Sequence, residues 1–106
     1  MFIAMNRFRV RLDRQEDFES LWTSRKTFLE EVPGFRVFHL LKGPVSEDHA
    51  LYTSHSMWDS REAFEGWTKS EAFRQAHAGA AGHRDLYEGP PQFEGFEVLQ
   101  EVAASS

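Results

Sequence analysis

Residues 35–58 read FRVFHLLKGPVSEDHALYTSHSMW, and this stretch decides the fold. Two largely apolar runs, Phe35 to Lys42 and Ala50 to Trp58, flank Gly43-Pro44 and the polar turn VSEDH. Gly-Pro breaks the first run and the connector is short. The spacing therefore predicts two strands paired as an antiparallel hairpin. His39 and His55 lie on the strands and His49 lies in the turn. None of the three has a second potential ligand at helical spacing, and all read as structural or solvated.

Outward toward the N-terminus, residues 2–11 read FIAMNRFRVR. Their alternation puts Phe2, Ala4, Asn6, Phe8 and Val10 on one face of a strand and Ile3, Met5, Arg7, Arg9 and Arg11 on the other. Asn6 is the polar exception on the apolar face. A buried amide without partners costs about 1–3 kcal/mol, so Asn6 has two readings: a bond to neighbouring backbone at a bulge, or a bond to a ligand. Asp13-Arg14-Gln15-Glu16 resembles a capping box with Asp13 as N-cap. Phe18, Leu21, Trp22, Arg25, Phe28 and Leu29 follow at helical spacing, which predicts an amphipathic helix stopped by Val32-Pro33-Gly34. Trp22 reads as core.

Outward toward the C-terminus, residues 58–77 read WDSREAFEGWTKSEAFRQAH. Asp59 caps a helix with Glu62 three residues on, and Ala63, Phe64 and Trp67 form its apolar side. Thr68-Lys69-Ser70-Glu71 repeats the capping signature, which predicts a break near Thr68 and a second helix carrying Ala72, Phe73, Ala76 and His77. Gly79 supplies its stop. Phe73 and His77 are four apart and share a face, while Ala72 and Ala76 leave room for something bulky. Residues 79–91 have the composition of a loop, long enough to be functional; His83 sits in it, behind the site or at the surface. Residues 93–102 read as the last strand, with Phe96, Val98 and Val102 on one face and a bulge at Gly95.

The order is βαββαβ, the ferredoxin-like split arrangement of an α+β domain. Helices cover one face of a four-stranded antiparallel sheet. Ile3, Met5, Val37 or Phe38, and Leu99 are candidates to line the other. An open, partly apolar sheet face is a dimerisation signal, and two sheets packed face to face give a barrel-like homodimer core. Residues 1–102 are expected to form one domain and 103–106 a disordered tail.

Composition narrows the function. The chain has 106 residues, 41% hydrophobic and 27% charged, with ten phenylalanines and three tryptophans, which is one globular domain with an aromatic interior. Its formal net charge of −5 gives no general pull toward nucleic acid. The absence of cysteine removes disulfides, thiolate metal sites and thiol nucleophiles, so a metal ligand would be nitrogen or oxygen. No apolar run approaches the ~18 residues of a membrane span, and no basic segment precedes an apolar one at the start. The expected location is cytoplasmic, with no membrane partner. There is also no Ser-His-Asp pattern, no glycine-rich phosphate loop and no carboxylate pair with a shared site.

Three residues stand out, each with two readings. His77 ends a helix, where a cation is favoured by the dipole, but a neutral imidazole in an apolar slot is also what an axial haem ligand requires. No Asp, Glu or His is spaced to complete a tetrahedral zinc site with it. Trp67 is either core packing or a wall against a planar ligand. Asn6 is the third. From the residues alone the chain is a dimeric α+β domain with one apolar pocket, for which haem is a candidate ligand.

The stretches FIAMNRFRV, EVPGFRVFHLLKGP, YTSHSMWDSREAFEGWTKSEAFRQAHAG and FEGFEVL cover most of the chain. They resemble the IsdG-type haem-degrading monooxygenases, within the superfamily of antibiotic-biosynthesis monooxygenase domains. Asn6, Trp67 and His77 stand in the family's motif contexts MNRF, AFEGWTKS and FRQAHAG. The resemblance implies a ferredoxin-like homodimer with a central barrel and one haem in each of two separate pockets. Haem is then both cofactor and substrate. His77 would be the axial ligand of the haem iron, Trp67 would ruffle the macrocycle, Asn6 would hydrogen-bond on the distal side, and Phe73 would join them against the ring. O2 and an external electron donor, through an unidentified reductase, would open the ring and free iron. Two rivals come from other classes: a cofactor-independent monooxygenase of aromatic polyketides or quinols, and a non-enzymatic haem-binding protein or bare dimerisation module.

Overall fold

The computed structural model describes residues 1–78 and 84–105, with backbone alone for 76–78 and 84. Among these the chain runs β1 (Phe2–Val10), α1 (Gln15–Ser24), β2 (Phe35–Val45), β3 (Ala50–Trp58), α2 (Arg61–Thr68), α3 (Glu71–Ala78) and β4 (Gln92–Glu97). Short 3-10 turns lie at Leu12–Arg14 and Arg84–Leu86. The four strands form one sheet in the order β2-β3-β1-β4, every pair antiparallel. This is the ferredoxin-like βαββαβ fold, with its second helix broken in two as the repeated capping signal predicts. β2 and β4 are edges within one chain, so its sheet is open and does not close into a barrel by itself.

Period-two alternation on β1 and β3 builds the helix-side face. Phe2, Ala4, Phe8 and Val10 on β1 and Ala50, Tyr52, Ser54, Ser56 and Trp58 on β3 are all buried. Two apolar clusters result. Phe8, Val10, Phe18, Ala50 and Tyr52 form one, under α1, with Trp22 and Tyr87 packed against it. Phe2, Ala4, Leu29 and Trp58 form the other, with Phe64 and Trp67 of α2 against it. Full burial of a side chain such as Phe18 stabilises the fold by roughly 1.5–3 kcal/mol relative to exposure. Between the clusters, Asn6 faces Ser54 across the β1–β3 ladder, and Ser56 sits next to it opposite Ala4.

Several element boundaries differ from expectation. α1 starts at Gln15 without a side-chain cap, and Asp13 sits in the preceding 3-10 turn. It ends at Ser24 and does not reach Leu29. The Thr23 and Ser24 hydroxyls donate back to the Glu19 and Leu21 carbonyls at 2.7 and 3.3 Å, and Arg25 is extended. Such local bonds compete with helix continuation. The cap of α2 is Ser60, which accepts from the Ala63 N–H at 3.1 Å; Asp59 instead pairs with Arg36 on β2. The break between α2 and α3 is capped by Ser70, whose hydroxyl accepts from Phe73 N–H at 3.2 Å and donates to the Trp67 carbonyl at 2.6 Å.

β2 runs through Gly43-Pro44 to Val45, with a shift of register between Lys42 and Val45. An edge strand tolerates the missing N–H of proline. β4 stops at Glu97, five residues before Val102 was expected to end it. Glu97 faces Phe2, the first residue of β1, and the Val98 N–H still donates to the Met1 carbonyl at 2.9 Å, after which the described pairing ends. Leu99 and Val102 are therefore exposed and do not line the sheet. Gly95 lies in regular register opposite Ala4, not in a bulge; a Cβ there would come within 2.7 Å of the Phe2 ring. On β2 it is Val37 that shares the open face, opposite Met57, whereas Phe38 faces the helices opposite Ser56. His39 and His55 are cross-strand neighbours on the open face, ring centroids 5.5 Å apart.

The expected loop at 79–91 is in part a packed segment. Leu86 is buried, Tyr87 bridges Val10, the Arg11 N–H donates to the Leu86 carbonyl and the Glu88 N–H to the Arg9 carbonyl, each at 2.8 Å. Residues 79–83, including His83, lie outside the described residues.

Candidate functional site

The site lies over the α2 half of the sheet, bounded by the residues that follow α1. After Ser24 the chain forms an irregular strap, residues 25–33, before re-entering the sheet at Phe35. Phe28 in this strap has φ 57°, in the left-handed region that bulky side chains avoid. The turn that closes it needs Gly34, with φ 82° and its Cα against Ala63 of α2.

Two cavities flank the strap. An outer cleft of about 680 Å³ lies between strap and helices, lined by Phe28, Glu30, Glu31, Val32 and Pro33 on one side and Ala63, Gly66, Trp67, Ser70 and Ala72 on the other. The small residues on α2 and α3 keep it open, as the sequence predicts for Ala72. Its size is within the roughly 300–1,000 Å³ of small-molecule sites. An inner cavity of about 50 Å³ lies on the sheet. Asn6, Ser54 and Ser56 are its polar floor, Trp22, Arg25, Thr27 and Leu29 come from α1 and the strap, and Phe64 and Trp67 from α2. Trp67 lines both cavities.

Asn6 and Trp67 are thus brought to one cavity. Asn6 is half-buried in an unbroken ladder, so the bulge reading falls away, and its side-chain amide makes no hydrogen bond among the described residues. The Trp67 ring is braced on three sides: Trp58 at 5.3 Å, Phe64 at 6.1 Å and Phe73 edge-on at 4.8 Å between centroids. Phe73 reaches the site through its edge-on contact with Trp67. His77 is in the last turn of α3, and its side chain lies outside the described residues.

Trp22, Arg25, Ser54 and Ser56 are site residues that the sequence reading assigned to core or left unremarked. The Arg25 guanidinium lies over the Trp22 ring, 4.1 Å from its centroid. Burial lowers the Arg25 pKa from its ordinary value, with Tyr87 opposing the shift. Arg25 makes no ion pair among the described residues, and its Nε and the Trp22 Nε1 are buried without a hydrogen-bond partner there. A signal existed for the serines. On a strand face otherwise made of Ala50, Tyr52 and Trp58, two adjacent polar positions mark a gap in the core.

A half-buried cation and unused N–H donors beside a braced aromatic wall and an apolar cleft suit one class of ligand. It is flat, mostly apolar, and carries an acidic or hydrogen-bond-accepting group. Haem, a planar macrocycle with carboxylate substituents, belongs to that class, and the described residues fit it.

Comparison with known proteins points the same way. Residues 1–79 match the family model for antibiotic biosynthesis monooxygenase. Over 57 residues the chain is 37% identical to a haem-degrading monooxygenase of Bacillus thuringiensis subsp. konkukian, a match covering 54% of this chain and 53% of that protein. The matched segment thus spans about half the length of the curated relatives. The haem degrader MhuD of Mycobacterium tuberculosis, solved with two haems bound in its active site, superposes with a TM-score of 0.72 at 29% identity, covering 97% of this chain and 100% of that one. A mutant of SnoaB, a cofactor-independent oxygenase of Streptomyces nogalater, superposes with a TM-score of 0.70 at 24% identity, covering 97% of each chain, and shares the fold.

Proposed function

We propose that this chain, which belongs to the antibiotic biosynthesis monooxygenase family, takes haem as its substrate, opens the porphyrin ring with O2 and an external reductant, and releases the iron. One observation carries the reading: Asn6 of β1, Arg25 after α1 and Trp67 of α2 converge on a single cavity beside an apolar cleft. The haem-degrading relatives support it.

Bound haem supplies the iron that activates oxygen; the protein orients and distorts. Trp67, held between Trp58, Phe64 and Phe73, would be a braced wall against a bound macrocycle and would favour its distortion. Asn6, on the floor of the inner cavity, would offer its side-chain amide as a hydrogen-bonding group to the bound ligand. Arg25, already desolvated, pairs a ligand carboxylate in a charge-assisted bond. His77, one turn beyond Phe73 on α3, would supply the imidazole nitrogen that holds the haem iron. The open sheet face, with Ile3, Met57 and Phe96 in one cross-strand row, is assigned to a homodimer whose two sheets close the barrel. The setting is assigned to the cytoplasm, with a reductase as electron donor.

Haemin titration of the purified chain tests this. A saturable Soret shift, lost on adding reductant in air with release of chelatable iron, is expected. Stable haem after reductant would make the chain a haem carrier, and no spectral change would leave the cofactor-independent oxygenase reading in its place. His77→Ala is expected to abolish the coordinated Soret spectrum; an unchanged spectrum removes His77 as ligand.

A further inference from the structure

The strap that separates the two cavities presents alternate residues to each. Thr27 and Leu29 line the inner cavity, while Phe28 and Glu30 line the outer cleft. Leu29 is 4% exposed and packs in the cluster of Phe2, Ala4 and Trp58. Its neighbour Phe28 is 43% exposed and held at φ 57°, a conformation disfavoured for a bulky residue unless its surroundings impose it. The inner cavity, at about 50 Å³, has room for little more than one water molecule, whose share of liquid volume is roughly 30 Å³. A ring edge that touches Asn6 must take space now filled by a side chain.

We infer that Leu29 is the specificity-determining residue of this site. It is the plug that the leading edge of a ligand displaces to reach Asn6, carried aside by the strap. The inference rests on the reading that Asn6 faces the ligand. The strap is suited to the movement. It begins where α1 ends at Ser24 and finishes at Pro33-Gly34. Among the described residues its backbone bonds are local turns, Val32 N–H to the Leu29 carbonyl at 3.0 Å and Phe35 N–H to the Val32 carbonyl at 3.1 Å, until its end is anchored at Gly34, whose carbonyl accepts from the Asp59 N–H at 2.8 Å. Withdrawal of Leu29 joins the outer cleft to the polar floor of the inner one. It also exposes Phe2, Ala4 and Trp58, so the group that replaces Leu29 has to be apolar. A flat ligand with an apolar edge is admitted; a polar edge is penalised by the lost contacts.

The test uses two flat tetrapyrroles, haemin and iron-free protoporphyrin IX, with the whole chain. Association is followed by absorbance and fluorescence for the natural protein, Leu29→Val and Leu29→Ala. Raising the fraction of binding-competent protein raises apparent affinity and rate in proportion. Association of both ligands is therefore expected to accelerate, about threefold for Val and about tenfold for Ala, on the scale of that relation. Hydrogen exchange of the free natural protein is expected to show residues 26–32 opening at least about tenfold faster than β1 and β3. Unchanged association rates for both porphyrins in both folded variants would overturn the plug and leave the haem reading intact. If neither porphyrin binds, the haem reading falls. The plug is then decided by exchange alone: strap amides as slow as those of β3 overturn it, and fast ones sustain it.

Discussion

Beneath α1, Phe8, Val10, Phe18, Ala50 and Tyr52 close on one another, and the polar end of the group is satisfied. The Tyr52 hydroxyl donates to Glu19, whose carboxylate also meets Lys42 at 3.1 Å. Beneath α2, a similar set of aromatic residues, Phe2, Trp58, Phe64 and Trp67, borders two cavities and a polar floor. Both halves use the same sheet and the same alternation. They differ in what closes the top: a regular helix over one, a strap and two short helices over the other. The first half supplies stability, and the second leaves buried polar groups available to a ligand.

Substitutions sharpen or break this contrast. Phe18→Ala has the largest expected cost in stability, about 3–5 kcal/mol, because Phe18 is fully buried. Urea denaturation reads it, and haemin affinity of the folded fraction should hold. Trp67→Ala is half-buried and should cost less, ~2 kcal/mol, yet slow haem turnover and leave a flatter bound ring by resonance Raman. Undiminished iron release would move Trp67 to the stabilising half.

Tyr52→Phe acts through charge. The Tyr52 hydroxyl, then Lys42, lowers the Glu19 pKa from 4.5, its ordinary value, so the carboxylate form is the one that is held. The stability this adds is full above the ordinary carboxylate range and disappears as pH falls through the lowered value. The gap in denaturation midpoint between the natural protein and Tyr52→Phe should therefore be present at neutral pH and narrow in acid. A gap that widens in acid breaks the assignment. Asn6→Ala has the smallest expected effect on stability, within ~0.5 kcal/mol, since its amide bonds nothing described. It is expected to retain ferric haem and lose iron release. A stability loss near 2 kcal/mol would return Asn6 to the structural half.

Much of the fold was legible in the sequence. Phe2, Ala4, Phe8 and Val10 alternate with charged or open-face residues, and the strand follows. Ser70, in the second capping signal, divides α2 from α3 as that signal foretold. The ends of α1, β2 and β4 were less legible. Helical spacing persists through Arg25 and Leu29, while hydroxyl back-bonding at Thr23 and Ser24 ends the helix. Gly43-Pro44 reads as a stop, yet an edge strand has no ladder bond to lose there. β4 ends because β1 begins at Phe2, a limit set by another part of the chain.

The candidate site divides along the same line. Asn6 stands out as a polar exception in a periodic strand, whereas Trp67, Phe73 and His77 fit their helical faces and are singled out by the family resemblance of their motifs. Arg25, Ser54, Ser56 and Leu29 drew little notice, because each looks ordinary among its neighbours. Strand register sets Ser54 opposite Asn6, and the strap brings Leu29 to the same cavity. The sequence by itself determined the elements and their faces, since side-chain direction repeats with local backbone geometry. Which faces meet, what fills the space between them and which polar atoms are left unbonded were decided only when distant segments packed together.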